Sequence, residues 1–238
     1  MTLRTRAVDV AIANARFEGL LAWDDANSDP RPGIMVCHTI RGRTEFEDQK
    51  AMALAELGYV GLSIDLYGVE TRDSDIDTFR DLMMGLQNDR PALQSQLQIW
   101  LEVIRKQAEV AAANIAAIGF CFGGLCALDI ARSGADVRGV ASFHGIFAPP
   151  GNTAGNRIRS KVLAMHGWED PLATPEQVEG LATELTDMGA DWQIHAYGNT
   201  LHAFTNPVAN DKDAGTVYNM NADRRSWVAM QNFLEELF

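Results

Sequence analysis

The sequence predicts an α/β fold, a mainly parallel sheet with helices on both faces. Three observations predict it. Short apolar runs of strand length alternate with longer segments whose apolar residues recur every three or four positions. Capping residues stand at the start of several of those longer segments. The 238 residues, 47% hydrophobic and 22% charged, suit a single domain (1–238) with a core large enough to need no disulfide or metal for stability.

The elements follow in order. Val8 to Trp23 carries scattered apolar residues and suggests one or two edge strands, and Asp24 to Pro32 reads as a polar turn. Gly33 to Thr39 is a short apolar run typical of a buried strand. Thr44 and Glu47 form a capping-box pair that opens a helix reaching about Leu57, where Gly58 ends it. Tyr59 to Leu66 is a second buried strand. Asp89 and Pro91 start a helix whose Leu93, Leu97, Trp100, Leu101 and Ile104 share one face, expected to run to about Ala111. Strands follow at Asn114 to Phe120, Val137 to Phe143, Lys161 to His166 and Asp191 to Tyr197. Helices lie between them at Gly123 to Arg132 and after the Thr174–Gln177 capping box. Trp227, Met230, Leu234 and Leu237 mark a C-terminal helix. Gly68 to Asp89 and Asn199 to Val217 read as irregular polar segments that shape a pocket.

Charge and cysteine usage exclude several function classes. A net charge of −12 disfavours nucleic acid and anionic membrane surfaces as partners. A small-molecule substrate is the expected partner, and the oligomeric state is left open. Three cysteines without framework spacing fit a reducing compartment. With no apolar run long enough for a signal peptide or for the roughly 20 residues of a membrane span, the expected location is cytoplasmic. Metal-ligand spacings are lacking, and no G-x-G-x-x-G follows the first buried strand. No metal and no cofactor are therefore expected.

The informative stretch is Gly119-Phe120-Cys121-Phe122-Gly123-Gly124, at the junction of a predicted strand and a predicted helix. This is the G-x-nucleophile-x-G elbow with cysteine in place of serine. Glycines remove the Cβ atoms that so tight a turn cannot hold. The nucleophile is left at a helix N-terminus, where the dipole favours a thiolate. The backbone N–H of Phe122 can face a developing oxyanion. The competing reading is an ordinary glycine turn around an inert cysteine.

Two further segments decide between these. His166-Gly167-Trp168-Glu169-Asp170-Pro171 places a carboxylate just past a strand's C-terminal end, where open α/β sheets build their sites. Asp170, which directly precedes the proline, is preferred to Glu169. Leu201-His202-Ala203-Phe204 follows the last predicted strand. The order Cys121, Asp170, His202 is that of α/β-hydrolases, which refines the fold class to the α/β-hydrolase fold. His38, His144 and His166 stand at predicted strand ends and read first as hydrogen-bonded structural histidines, with lining or supporting the site as the alternative. His195, Cys37 and Cys126 read as structural.

At these residues the sequence resembles the dienelactone hydrolase family, from about Pro32 to Phe238. The resemblance rests on the G-F-C-F-G-G elbow, Asp65-Leu66-Tyr67-Gly68, Ser142-Phe143-His144-Gly145, His166-Gly167-x-x-Asp170-Pro171 and His202-Ala203-Phe204. It implies catalytic roles for Cys121, Asp170 and His202, and oxyanion donors in the backbone N–H groups of Ile40 and Phe122. It implies cleavage of a small ester or lactone through an acyl thioester. The sequence departs from the family pattern twice. Thr39 stands where members usually carry a glutamate, and Asn206 stands where dienelactone hydrolase has a substrate-binding arginine. Both departures point away from dienelactone itself. Thr39, Arg41, Trp168 and Asn206 are the candidate pocket residues. The alternative reading is a catalytically weak fold that binds a small molecule or partner.

Overall fold

A computed structural model of the chain describes residues 2–26 and 28–238. Asn27, in the expected 24–32 turn, lies outside the described residues. The chain forms two compact units, one ending at Ala117 and one beginning at Ile118.

The first unit opens with β1 (Leu3–Ile12) and β2 (Ala15–Asp24), an antiparallel hairpin in register from Leu3–Asp24 to Ile12–Ala15. Its two turn residues, Ala13 and Asn14, take φ of 47° and 70°, as tight hairpin turns require. β3 (Arg31–Cys37) and β4 (Val60–Ser63) pair in parallel. Between them α1 (Glu45–Glu56) starts on the expected capping box. Its buried Ala51, Leu54 and Ala55 pack on the strands.

The 68–89 segment is more regular than the sequence suggests. A short 3-10 turn at Val69–Thr71 precedes α2 (Ile76–Asn88), whose N-cap Asp75 accepts the Thr78 N–H at 2.8 Å. Ile76, Phe79, Leu82, Met83 and Leu86 carry a helical spacing that identifies this helix in retrospect. α3 (Arg90–Arg105) buries the expected apolar face, but it ends before Ala111. Val110 already belongs to β5 (Val110–Phe120), so the helix stops to let the strand begin. Strand order in this unit is β1-β2-β4-β3, with β5 next.

In the second unit the end of β5 is followed by β6 (Gly139–Phe143), β7 (Lys161–Gly167) and β8 (Asp191–Tyr197). β6–β7 and β7–β8 are parallel. Counted together, the strands make a mainly parallel sheet of eight, as expected. α4 (Phe122–Arg132) and α6 (Met220–Leu237) pack on β6, and α5 (Pro175–Asp187) packs on β8. The 199–217 segment includes a small hairpin, β9 (Asn210–Asp211) with β10 (Thr216–Val217). Every residue of β6 is buried.

Candidate active site

The elbow is built by backbone sterics. One residue, Cys121, separates β5 from α4, and it sits at φ 57°, ψ −116°. A Cβ on Gly119 would lie 1.9 Å from the Gly123 carbonyl oxygen, and one on Gly124 would lie 2.6 Å from the Gly145 Cα. Glycine is therefore required at both positions. Holding a non-glycine residue at such a φ costs roughly 1–3 kcal/mol, so the surroundings must enforce it. The Cys121 N–H donates to the Phe143 carbonyl at 3.0 Å and to His144 Nδ1 at 3.1 Å, and its carbonyl accepts the Gly124 N–H at 2.9 Å. The side chain is partly exposed, whereas Cys37 and Cys126 are buried. Burial pushes the Cys37 thiol far up, which makes it inert.

Asp170 and Glu169 divide two tasks. Asp170 is buried; Oδ1 accepts the Leu172 N–H at 2.8 Å and Oδ2 accepts His202 Nδ1 at 2.7 Å. Glu169 instead accepts the Thr200 N–H at 2.8 Å, and this bond holds its carboxyl below the usual carboxylate range. One carboxylate thus orients the imidazole, and the other ties down the loop that carries it.

His202 is 2% exposed and is fixed at both backbone atoms, donating to Gly215 at 2.9 Å and accepting from Val217 at 3.0 Å. Its Nδ1 is committed to Asp170, so Nε2 is the atom left for chemistry. Burial works against a charged ring. The charge of Cys121 and the bond to Asp170 outweigh it, and the imidazole is pushed up to about 10. Cys121 and Asp170 thus both act on the His202 ring.

Phe122 occupies the first position of α4, the helix end at which N–H groups point outward. Trp168 is 45% exposed, with its N–H on the Tyr197 carbonyl at 2.9 Å. Asn206 uses its side-chain oxygen locally, accepting the Val208 N–H at 3.2 Å. Thr39, Ile40 and Arg41 belong to the first unit, in the loop between β3 and α1. That loop has its own frame. The buried Glu47 accepts N–H groups from Thr39 at 3.1 Å and Thr44 at 2.9 Å, and His38 Nδ1 donates to the Thr39 carbonyl at 2.6 Å. The Thr39 hydroxyl accepts the Arg41 N–H at 3.4 Å. Arg72, another residue of the expected pocket segment, pairs with Glu18 at 3.0 Å, and Arg80 pairs with Asp77.

Two residues that sequence reasoning undervalued contact this machinery. His144 bonds the Cys121 backbone, and Thr205 bonds His144. The strand-end position of His144 was a usable signal; nothing in the sequence marks Thr205. His166 is wholly buried, with neither ring nitrogen hydrogen-bonded among the described residues, and burial lowers its pKa.

The model of the dienelactone hydrolase family matches residues 17–238. The chain belongs to the dienelactone hydrolase family. It is accordingly a carboxylic ester hydrolase of dienelactone hydrolase type. A dienelactone hydrolase-like promiscuous phosphotriesterase from metagenomic libraries is 35% identical, with a TM-score of 0.92 over 100% of both chains. The structure called m3DLH is 36% identical, with a TM-score of 0.94, again over 100% of both. An uncharacterized protein of Caenorhabditis elegans, K02A2.1, is 33% identical over 61% of this chain and 94% of its own length. Among the described residues no helix is long and apolar enough to cross a membrane.

Proposed function

We propose that the chain hydrolyses small carboxylic esters or lactones with Cys121 as nucleophile, His202 as acid–base and Asp170 as its orienting partner. The observation that carries this reading is the 2.7 Å bond that fixes His202 Nδ1 on the buried Asp170, together with a Cys121 held at φ 57° at the strand-to-helix turn. Against burial, the charge of Cys121 and the bond to Asp170 raise the His202 pKa in keeping with it. The thiolate attacks the carbonyl carbon, and the oxyanion is received by backbone N–H groups, with Phe122 a proposed donor. Collapse expels the alkoxide, which takes its proton from His202 Nε2. The acyl thioester remains. Water then gives a proton to His202 and attacks the thioester, releasing the acid and the free thiol. For a lactone, leaving group and acid stay in one molecule.

The family glutamate is not needed in this scheme, because the imidazolium already favours the thiolate. Carboxylate recognition through an arginine at position 206 is not part of it either, which points to uncharged esters. A phosphotriester such as paraoxon is a second electrophile to try, because the 35% identical relative is described as a promiscuous phosphotriesterase. Three free thiols suit a cytoplasmic setting.

The test is turnover of p-nitrophenyl acetate by wild type and Cys121→Ala. The reading expects the variant to lose roughly 10³-fold or more. Full retained activity would overturn Cys121 as the nucleophile, and a wild type without turnover would favour the binding role.

A further inference from the structure

A second histidine stands against the nucleophile, and its ring leaves no choice of tautomer. The Cys121 backbone N–H, shared with the Phe143 carbonyl at 3.0 Å, can only donate, so His144 Nδ1, 3.1 Å away, accepts from it and carries no proton. The ring proton is therefore on Nε2, which donates to Thr205 Oγ1 at 2.8 Å. Thr205 is buried and lies three residues beyond His202. The His144 ring meets His202 edge-on, with centroids 5.1 Å apart, and meets Phe204 in the same way at 5.0 Å. Three non-glycine residues around this contact hold positive φ: Cys121 at 57°, His144 at 38° and Ala203 at 57°. Such conformations persist only where neighbours over-determine them.

We propose that His144 is a positioning residue, a neutral imidazole bridge joining the strained backbone of Cys121 to the loop that bears His202. The inference rests on the reading of Cys121 as nucleophile. The bridge ties the two halves of the thiol–imidazole pair to one rigid ring, so it sets the separation between Sγ and Nε2. It works only when uncharged. A proton on Nδ1 would face the Cys121 N–H, and the new cation would lie beside the His202 imidazolium. The two histidines thus divide the work: His202 carries the proton, and His144 keeps its Nδ1 lone pair on the nucleophile's amide.

Two measurements test this. In ¹⁵N-labelled wild type, a scalar coupling across the hydrogen bond should join the Cys121 amide nitrogen to His144 Nδ1. In kinetics on p-nitrophenyl acetate, His144→Phe keeps a ring but no acceptor, while His144→Asn places an oxygen near the Nδ1 position. His144→Phe should lower kcat by about tenfold to a hundredfold with KM nearly unchanged, the scale expected for a small misplacement. His144→Asn should recover most of that loss, and Thr205→Val should fall between. A protonated Nδ1, or equal losses in the Asn and Phe variants, overturns the proposal. If His144→Phe does not fold, the coupling and Thr205→Val still decide. An active Cys121→Ala would sink the nucleophile reading itself. Unchanged kcat in His144→Phe, in an enzyme that needs Cys121, would sink the positioning role alone.

Discussion

The elbow at 119–124 and the loop at 199–217 hold the two proposed reacting groups by opposite means. The elbow is held by exclusion. Gly119 and Gly124 are glycines because backbone atoms occupy the space a Cβ would need. The loop is held by bonds. Glu169 grips Thr200, Asn219 Nδ2 donates to Thr200 Oγ1 at 3.1 Å, and His202 is clamped between Gly215 and Val217. Strain can be stored in the first, because sterics do not relax. Orientation is maintained in the second, because its partners are polar and directional. Substitutions should therefore fail differently in the two regions.

The largest effect is expected where the loop meets the chemistry. Asp170→Asn keeps the shape but can present an amide N–H to Nδ1, which favours the wrong tautomer. A loss of roughly 10³–10⁴-fold in kcat is the expected size, read by steady-state kinetics. The same variant tests the charge balance. The raised pKa of His202 means that its charged form stabilises the fold fully below its ordinary 6.5, and that this contribution is lost as pH rises through about 10. Because the paired Cys121 thiolate offsets this up to the free-cysteine pKa of about 8.5, denaturant midpoints of wild type should fall only above that pH, and those of Asp170→Asn should fall less.

Breaking the elbow should cost stability before rate. Gly119→Ala drives a Cβ into a backbone oxygen, so the strand-to-helix junction must shift. A loss of about 3 kcal/mol or more in urea unfolding is expected. Preserved stability would mean that the elbow yields more easily than its geometry implies. The smallest effect belongs to Glu169→Gln. The amide can still accept the Thr200 N–H, though without charge, so kcat should fall by only about twofold to fivefold. A loss as large as that of Asp170→Asn would erase the division of labour between the two carboxylates.

The same contrast explains what could be read from the sequence. Steric requirements leave local marks. Gly119 and Gly124 around Cys121, the Thr44–Glu47 box and the apolar strands were legible because each reflects a rule acting over a few residues. Bonded requirements leave few. The grip of Glu169 on Thr200 spans 31 positions, and that of His202 on Gly215 depends on the 199–217 chain turning back on itself. The α2 helix was hidden for another reason. Its charged residues made the segment look like loop, although Asp75 and the spaced apolar residues were present. Glu47 shows a third case. Its capping role was legible, while its bond to the Thr39 N–H came from tertiary structure.

The central claim is that Cys121 and His202 form one thiolate–imidazolium unit. Site-resolved alkylation by iodoacetamide, followed by mass spectrometry across pH, tests it most directly. The account predicts that Cys121 is modified first. Its rate should stay nearly flat from about pH 6 to 8, well below the free-cysteine pKa of about 8.5, with Cys37 and Cys126 unreactive in the folded protein. A Cys121 rate that climbs about tenfold per pH unit towards 8.5, as an isolated thiol would, would contradict it.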